Sequence, residues 1–179
     1  YFFFKGETLP NVLSHLVNQH KMFWKKTYEI RAQQINLSKH EVVTLASIIE
    51  GEAIFNNERA KISAVYHNRL NINMKLQADP TIQFIINEPP RRLFNKDLKI
   101  KSPYNTYLNK GLPPGPINSP GKHSLLAALF PEENDFLFFV ARGDGYHTFS
   151  TNKRDHDRAK RKFQKIRRKL KRKSRKNEN

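Results

Sequence analysis

The sequence predicts an α+β fold, a helical core followed by a small antiparallel sheet, and three observations carry that prediction. Ser38-Lys39-His40-Glu41 is a capping box that opens a strongly apolar helix over about 39–54. Late in the chain, Asp135–Arg142 (DFLFFVAR) and His147–Thr151 are strand-like runs joined by Gly143-Asp144-Gly145-Tyr146, an Asp-Gly hairpin signal. Between them, residues 71–121 hold eight of the ten prolines, which reads as a long loop-built functional surface rather than a connector.

Taken in order, residues 1–37 form an opening segment and a helix that starts at Leu9-Pro10, with Val12, Leu13, Leu16 and Val17 at helical spacing. In the 39–54 helix, Val42, Val43, Leu45, Ala46, Ile48, Ile49, Ala53 and Ile54 cover most of the circumference, the pattern of a helix buried inside a domain. Asn56-Asn57 breaks it and caps a second helix over 58–70, with Ile62, Val65, Tyr66 and Leu70 inward and Arg59, Lys61 and Arg69 outside. Pro120-Gly121 leads into a short helix over 122–129 built on Leu125, Leu126 and Leu129. The last segment, 153–179, is a basic helical tail whose apolar seam is Ala159, Phe163, Ile166 and Leu170, with 171–179 a solvated end. The expected division is therefore 1–152 for the main domain and 153–179 for the tail.

Charge and composition narrow the function. The net charge of +17 is concentrated in residues 151–179, which carry 15 Lys/Arg against Asp155, Asp157 and Glu178 and so supply +12. Basicity is thus a property of the tail, suited to anionic wall polymers or lipid headgroups. Phe163 is the tail's only aromatic, so the interleaving that nucleic-acid binding uses is missing, and no nucleic acid is expected as a partner. The chain has no cysteine, which excludes disulfides, thiolate nucleophiles and Cys-ligated zinc. No His/Asp spacing makes a metal site, so neither metal nor cofactor is expected. No apolar run spans a membrane, and Tyr1-Phe2-Phe3-Phe4 is too short to do so. The missing initial Met suggests a piece of a longer protein.

The helix over 39–54 carries two carboxylates in its apolar arc. At roughly 100° per residue, Glu50 falls between Val43 and Ala46, and Glu52 between Leu45 and Ile48, while Thr44, Ser47 and Gly51 form the narrow polar side. An unpaired buried carboxylate is costly, and desolvation raises its pKa, which turns a Glu into a proton donor near neutral pH. The alternative is a structural Glu held by a buried Arg or a backbone amide. Gly51 costs about 1 kcal/mol of helix propensity and points to the close approach of another backbone or a ligand. Residues two apart point roughly 160° from one another, so Glu50 and Glu52 do not flank one scissile bond. Either one Glu acts alone, or a second acid comes from elsewhere, with Asp79 the candidate.

Beyond the helix, a chain of short blocks resembles one family. Leu45-Ala46-Ser47-Ile48-Ile49-Glu50-x-Glu52 is followed by Glu58-Arg59, Val65-Tyr66-x-Asn68-Arg69-Leu70 and Met74-x-Leu76-Gln77-Ala78-Asp79-Pro80-Thr81. Then come Ser102-Pro103-Tyr104-Asn105-Thr106-Tyr107, Gly111-Leu112-Pro113-Pro114-Gly115-Pro116-Ile117 and Ser119-Pro120-Gly121, and finally Phe138-Phe139-Val140-Ala141 with Gly143-Asp144-Gly145-x-His147-Thr148-Phe149. In content and order these blocks resemble the catalytic region of the MltG-type (YceG-like) endolytic murein transglycosylases. Ala78, where the family has Ser or Thr, and the long basic tail are the departures.

The resemblance implies a lytic transglycosylase that cleaves the β-1,4 bond between N-acetylmuramic acid and N-acetylglucosamine of nascent peptidoglycan strands, leaving 1,6-anhydromuramoyl ends. It implies Glu50 as the acid, first of the E-x-E pair, with Glu52 contacting substrate or supporting it. It implies a place at the outer face of the cytoplasmic membrane, behind a single-pass anchor, beside the cell-wall synthesis machinery. Substrate contacts are expected from Gln77, Asp79, Tyr104, Asn105, Tyr107, His147 and Thr148. Asn105 is the preferred sugar contact and Gly111–Gly115 a groove wall. The rival reading is a module of the same fold that holds glycan strands without turning them over; ordinary hydrolysis is a further one.

Overall fold

The computed structural model describes residues 2–86 and 88–177, with side chains up to Arg168. The chain divides into two units, one ending at Lys39 and one beginning at His40. The first holds two helices where one was expected, α1 (Leu9–Phe23) and α2 (Lys26–Gln34). Thr8 caps α1, accepting the Asn11 N–H, and Pro10 sits in its first turn, where a missing N–H costs nothing. The break between the helices is marked by the aromatic residues Phe23, Trp24 and Tyr28, whose rings pack at centroid distances of 5.1 and 5.4 Å.

Helix α3 (Lys39–Glu52) begins one residue after Ser38, as the capping box predicts, and from His40 onward belongs to the second unit. It is enclosed on nearly every side: Val42, Leu45, Ala46, Ile48 and Ile49 are inaccessible, and so are Thr44 and Ser47. The narrow polar side expected of those two residues is a buried one. Each hydroxyl is satisfied by its own helix, Thr44 Oγ1 donating to the His40 carbonyl and Ser47 Oγ to that of Thr44. Ser47 Oγ also accepts the Ile117 N–H at 3.0 Å, which ties the Pro-rich segment to α3.

Helix α4 (Asn56–Asn71) buries Ile62, Val65 and Tyr66, and it also buries Arg59 and Arg69, which correct the expectation that these arginines lie outside. Arg69 donates to the Leu76 and Leu137 carbonyls, both at 2.6 Å, and its guanidinium lies over the Phe138 ring. It thereby supplies donors to loop carbonyls that the fold has taken out of water.

The stretch 71–121 is not all loop. It contains α5 (Asp79–Ile86) and a 3-10 turn, Asp97–Lys99. What reads as an Asp-Pro turn is the start of α5, with Pro80 in its first turn, where proline is tolerated. Helix α6 (Lys122–Leu129) lies on α4 and occupies the expected residues.

Strands β1 (Phe138–Ala141) and β2 (His147–Ser150) pair antiparallel with Phe138 opposite Ser150 and Ala141 opposite His147. They are shorter than the sequence suggested, and the turn between them places Gly143 and Gly145 at φ of 98° and 88°. Helix α7 (Lys153–Asn177) packs on both strands and clusters with the second unit. Ala159 and Phe163 of the seam are half-buried and Ile166 is exposed; Leu170 and the end at 171–179 fall outside the described side chains.

Candidate active site

The two carboxylates of α3 receive opposite surroundings. Glu50 Oε2 accepts the Ser124 hydroxyl at 2.6 Å, Arg59 Nη1 at 3.1 Å and the Gly121 N–H at 3.3 Å. Arg59 Nη1 also donates to Ser124 Oγ at 2.6 Å, and Arg59 Nε to Asn56 Oδ1 at 3.0 Å. One carboxylate oxygen thus joins α3, α4 and α6. This is the structural alternative named for a buried Glu, a buried Arg and a backbone amide, and it is met at Glu50.

Glu52 has no such cation. Its Oε1 accepts the Tyr66 hydroxyl at 3.2 Å, and it shares an open cleft of about 550 Å³ with Gln77, Asp79, Tyr107, His147 and the first turns of α7. Desolvation, and then the nearby Asp79 charge, push its carboxyl up to about 7, against the lowering by the Tyr66 hydrogen bond, the hydrogen bond from the Asp79 backbone and the Arg69 charge. On its other side Glu52 borders a second recess of about 360 Å³ lined by Pro80, Phe84, Pro90 and Ile117. Asp79 lines both spaces, so the two acids stand where the recesses meet.

Asp79 is held in place from two directions. Tyr107 donates its hydroxyl to Asp79 Oδ1, and that phenol is driven well above its usual range by burial and by the carboxylate. Beneath them Thr106 fastens the start of α5. Its Oγ1 accepts the Ala78 N–H at 3.0 Å and lies 2.9 Å from Thr81 Oγ1, while its carbonyl accepts the Gln77 N–H at 3.1 Å. Gln77 itself has φ of 48°, a left-handed conformation unusual for a residue with a side chain, and it is exposed on the cleft.

Of the expected substrate contacts, Glu52, Gln77, Asp79, Tyr107 and His147 come together in this cleft. Asn105 does not. It is inaccessible, its Nδ2 donates to the Leu98 and Ile100 carbonyls, and its Oδ1 accepts the Tyr107 N–H at 2.8 Å. An amide used up inside its own loop has nothing left for a sugar, so Asn105 shapes the loop that presents Tyr107. Tyr104 does not line this cleft; its ring packs at 4.8 Å on Phe84, which lines the second recess. Thr148 points to the other face of β2 from His147, as alternation in a strand requires, and lines a separate space under α7. The Gly111–Gly115 segment packs near the start of α3, where the Pro114 carbonyl lies 2.7 Å from His40 Nε2; the wall is formed by Ile117 and Asn118 just after it.

His147 is fixed by Glu58, a residue the sequence did not single out for the site. Glu58 Oε1 accepts the His147 N–H at 3.1 Å, and Oε2 lies 2.9 Å from Nδ1. Arg59, Arg69 and Ser124 were missed likewise. A wheel signal existed for the arginines. At 100° per residue Arg59 falls between Tyr66 and Leu70, and Arg69 between Val65 and Ile62, inside the apolar stripe.

Gly51 meets its explanation here. A Cβ built on it would lie 2.7 and 2.8 Å from Cβ and Cγ of Pro80, a rigid ring next to Asp79. Gly51→Ala is therefore expected to displace the start of α5. We expect a net stability loss of about 1–2 kcal/mol, overpacking offset in part by helix propensity, and a fall in turnover larger than thermal unfolding explains. Urea titration beside an activity assay at 25 °C separates the two.

The YceG-like family profile matches residues 1–162. The chain belongs to the YceG-like family. An endolytic murein transglycosylase of Bacillus subtilis is 38% identical over 156 residues, a match covering 87% of this chain and 43% of the relative. An endolytic murein transglycosylase of Streptococcus pneumoniae is 35% identical over 129 residues, covering 69% of this chain and 23% of that one. The crystal structure of a YceG-like protein from Listeria monocytogenes superposes with a TM-score of 0.77 at 37% identity, over 88% of this chain and 51% of that chain. The chain thus spans about half or less of the length of these relatives. Among the described residues no group of three or more His, Asp or Glu side chains is placed to hold a metal.

Proposed function

We propose that this YceG-like chain cleaves peptidoglycan glycan strands endolytically at the β-1,4 bond between N-acetylmuramic acid and N-acetylglucosamine, with Glu52 rather than Glu50 as the proton donor. The observation that carries the reading is a single carboxyl with a pKa near 7, facing a cleft that continues on both sides of it. A group titrating there serves as acid in one step and base in the next. Glu50, clamped by Arg59, Ser124 and the Gly121 amide, holds the helix that carries Glu52.

In the first step Glu52 gives its proton to O4 of the departing N-acetylglucosamine as the C1–O4 bond breaks. The positive charge developing at C1 is stabilised by ionised Asp79. In the second step the muramoyl 6-hydroxyl attacks C1, its proton passes to the Glu52 carboxylate, and a 1,6-anhydro ring closes without water. Tyr66 and Tyr107 orient the two acids. A recess on each side of the acid suits binding of sugars on both sides of the cut, which is what endolytic cleavage needs. The similarity to the endolytic murein transglycosylases supports the substrate class. In this reading the protein works at the outer face of the cytoplasmic membrane near the synthesis machinery. None of the described helices is long and apolar enough to cross a membrane.

The test is mass spectrometry of un-crosslinked strands after incubation with the protein, with Glu52→Gln and with Glu50→Gln. Internal fragments ending in 1,6-anhydromuramic acid, made by the unmutated protein and by Glu50→Gln but not by Glu52→Gln, are expected. Fragments that have gained water keep Glu52 and move the reaction to hydrolysis, with Asp79 positioning the water. Equal products from Glu52→Gln and the unmutated protein remove Glu52 from the chemistry.

A further inference from the structure

The two recesses that meet at Glu52 and Asp79 differ in charge. The one lined by Pro80, Phe84, Pro90 and Ile117 has no cationic side chain in its wall. The other is walled on one side by α7, which brings Lys153 and Lys160 to it. These lysines are seven residues apart, about two turns or 10 Å along one side of the helix. Neither takes part in an ion pair among the described residues, and Asp157 is the acidic residue that α7 adds to the same wall.

The wall is built, not a stray surface. The His156 ring stacks on Phe138 at 5.2 Å, and Phe163 lies against Gly143, where an added Cβ would come within 3.5 Å of the ring. Those two contacts fix the rotation of α7, and with it the side from which Lys153 and Lys160 project. Other charges facing this space are accounted for. Arg69 is committed to the Leu76 and Leu137 carbonyls, His147 to Glu58, and Asp79 to Tyr107. Burial and the neighbouring Lys160 disfavour the charged form of His156. The positive charge available to a ligand is therefore that of the two lysines.

A stripped glycan offers a lysine one carboxylate per muramoyl residue, held close against the sugar on its lactyl group, and attachment of a peptide turns that carboxyl into a neutral amide. A strand whose muramoyl residues bear peptides offers free carboxylates, projecting sideways from the sugar chain at regular intervals. We propose that Lys153 and Lys160 bind the carboxylates of peptide substituents on one side of the scissile bond, so that peptide-bearing strands, not stripped glycan, are the substrate. The inference rests on the strand-cleaving function proposed above. It makes the first half of the basic helix a specificity element of the cleft.

The test is equilibrium binding by the Glu52→Gln protein, full chain, of un-crosslinked strands in three forms: peptides intact, peptides removed by an amidase, and peptides retained with their carboxyls amidated. Intact strands are expected to bind about tenfold tighter than either other form, a margin that shrinks as salt rises. Lys153→Gln/Lys160→Gln in the same background is expected to bring intact strands to the affinity of stripped ones and leave stripped strands unchanged. Both positions are solvent-exposed, so thermal stability should be retained, and melting curves check it. Equal affinity for the three forms overturns the lysine assignment while leaving strand binding intact. So does a double variant that weakens all three equally. Absence of binding to any strand overturns the glycan reading and this one with it.

Discussion

Glu52→Gln is expected to abolish strand cleavage and, above pH 7, to make the protein more stable. Both effects come from one carboxyl. Folding raises its pKa from 4.5 to about 7, first by desolvation and then by the charge of Asp79. Between those values the folded protein keeps a proton that the unfolded chain has released, so stability falls as pH rises through the window. Above pH 7 the folded state carries the full cost of a desolvated carboxylate facing Asp79, on the order of 2–3 kcal/mol once solvent in the open cleft is allowed for. Gln removes that cost. Its amide oxygen still accepts the Tyr66 hydroxyl. It has no proton to give, so turnover should fall by about 10³-fold or more. The unmutated protein should lose kcat/KM on the alkaline side with an apparent pKa near 7. Melting temperatures of both proteins from pH 4.5 to 8.5 test the other half. The variant should gain steadily on the parent up to about pH 7.5 and show no advantage at pH 4.5. Retained cleavage, or a variant less stable at pH 8, would sink the assignment.

The sequence shows most of the frame and only half of the site, and the division has physical causes. The α3 helix was legible because its capping box and apolar circumference are local signals. So was the hairpin, whose Asp-Gly turn and strand-like flanking runs need no distant information. Helix α5 was not. Its eight residues, with an apolar run at Ile82, Phe84, Ile85 and Ile86, are too short for the helical period to stand out from that of a strand. The choice between Glu50 and Glu52 was beyond the sequence for a different reason. Both sit in the apolar arc of the wheel, and what separates them is a partner from another helix, Arg59 for one and Tyr66 for the other. Partner identity depends on how helices pack, which the period of one helix does not encode. Asn105 shows the converse. A polar residue in a Pro-rich loop reads as available to a ligand, yet it is fully enclosed because that loop needs its amide to satisfy the Leu98 and Ile100 carbonyls.

The clamp on Glu50 should give the opposite signature, a large loss of stability with the chemistry retained. Arg59 is nearly inaccessible and donates to Glu50, Ser124 and Asn56, so its removal strips donors from three helical segments at once. Breaking a fully buried pair costs about 3–5 kcal/mol. The Glu50 side chain is 33% exposed, and it keeps the Ser124 hydroxyl and the Gly121 amide. We therefore expect Arg59→Ala to cost about 2–3 kcal/mol, in the lower part of that range or just below it. Glu50→Gln preserves the shape and can keep an amide oxygen in the Oε2 position, but it gives up the charge that Arg59 pairs with, for about 1–2 kcal/mol. Because the two residues share one interaction, the double variant should cost less than the sum, with a coupling of about 1–2 kcal/mol in a urea-denaturation cycle. Well below its melting temperature, Glu50→Gln should keep turnover within about tenfold of the parent, since the proton-donating group is untouched. Loss of cleavage in a Glu50→Gln protein that melts like the parent would return the acid to Glu50 and leave Glu52 as its neighbour. Loss of stability with turnover retained means that the first Glu of the E-x-E pair holds the helix and the second does the chemistry.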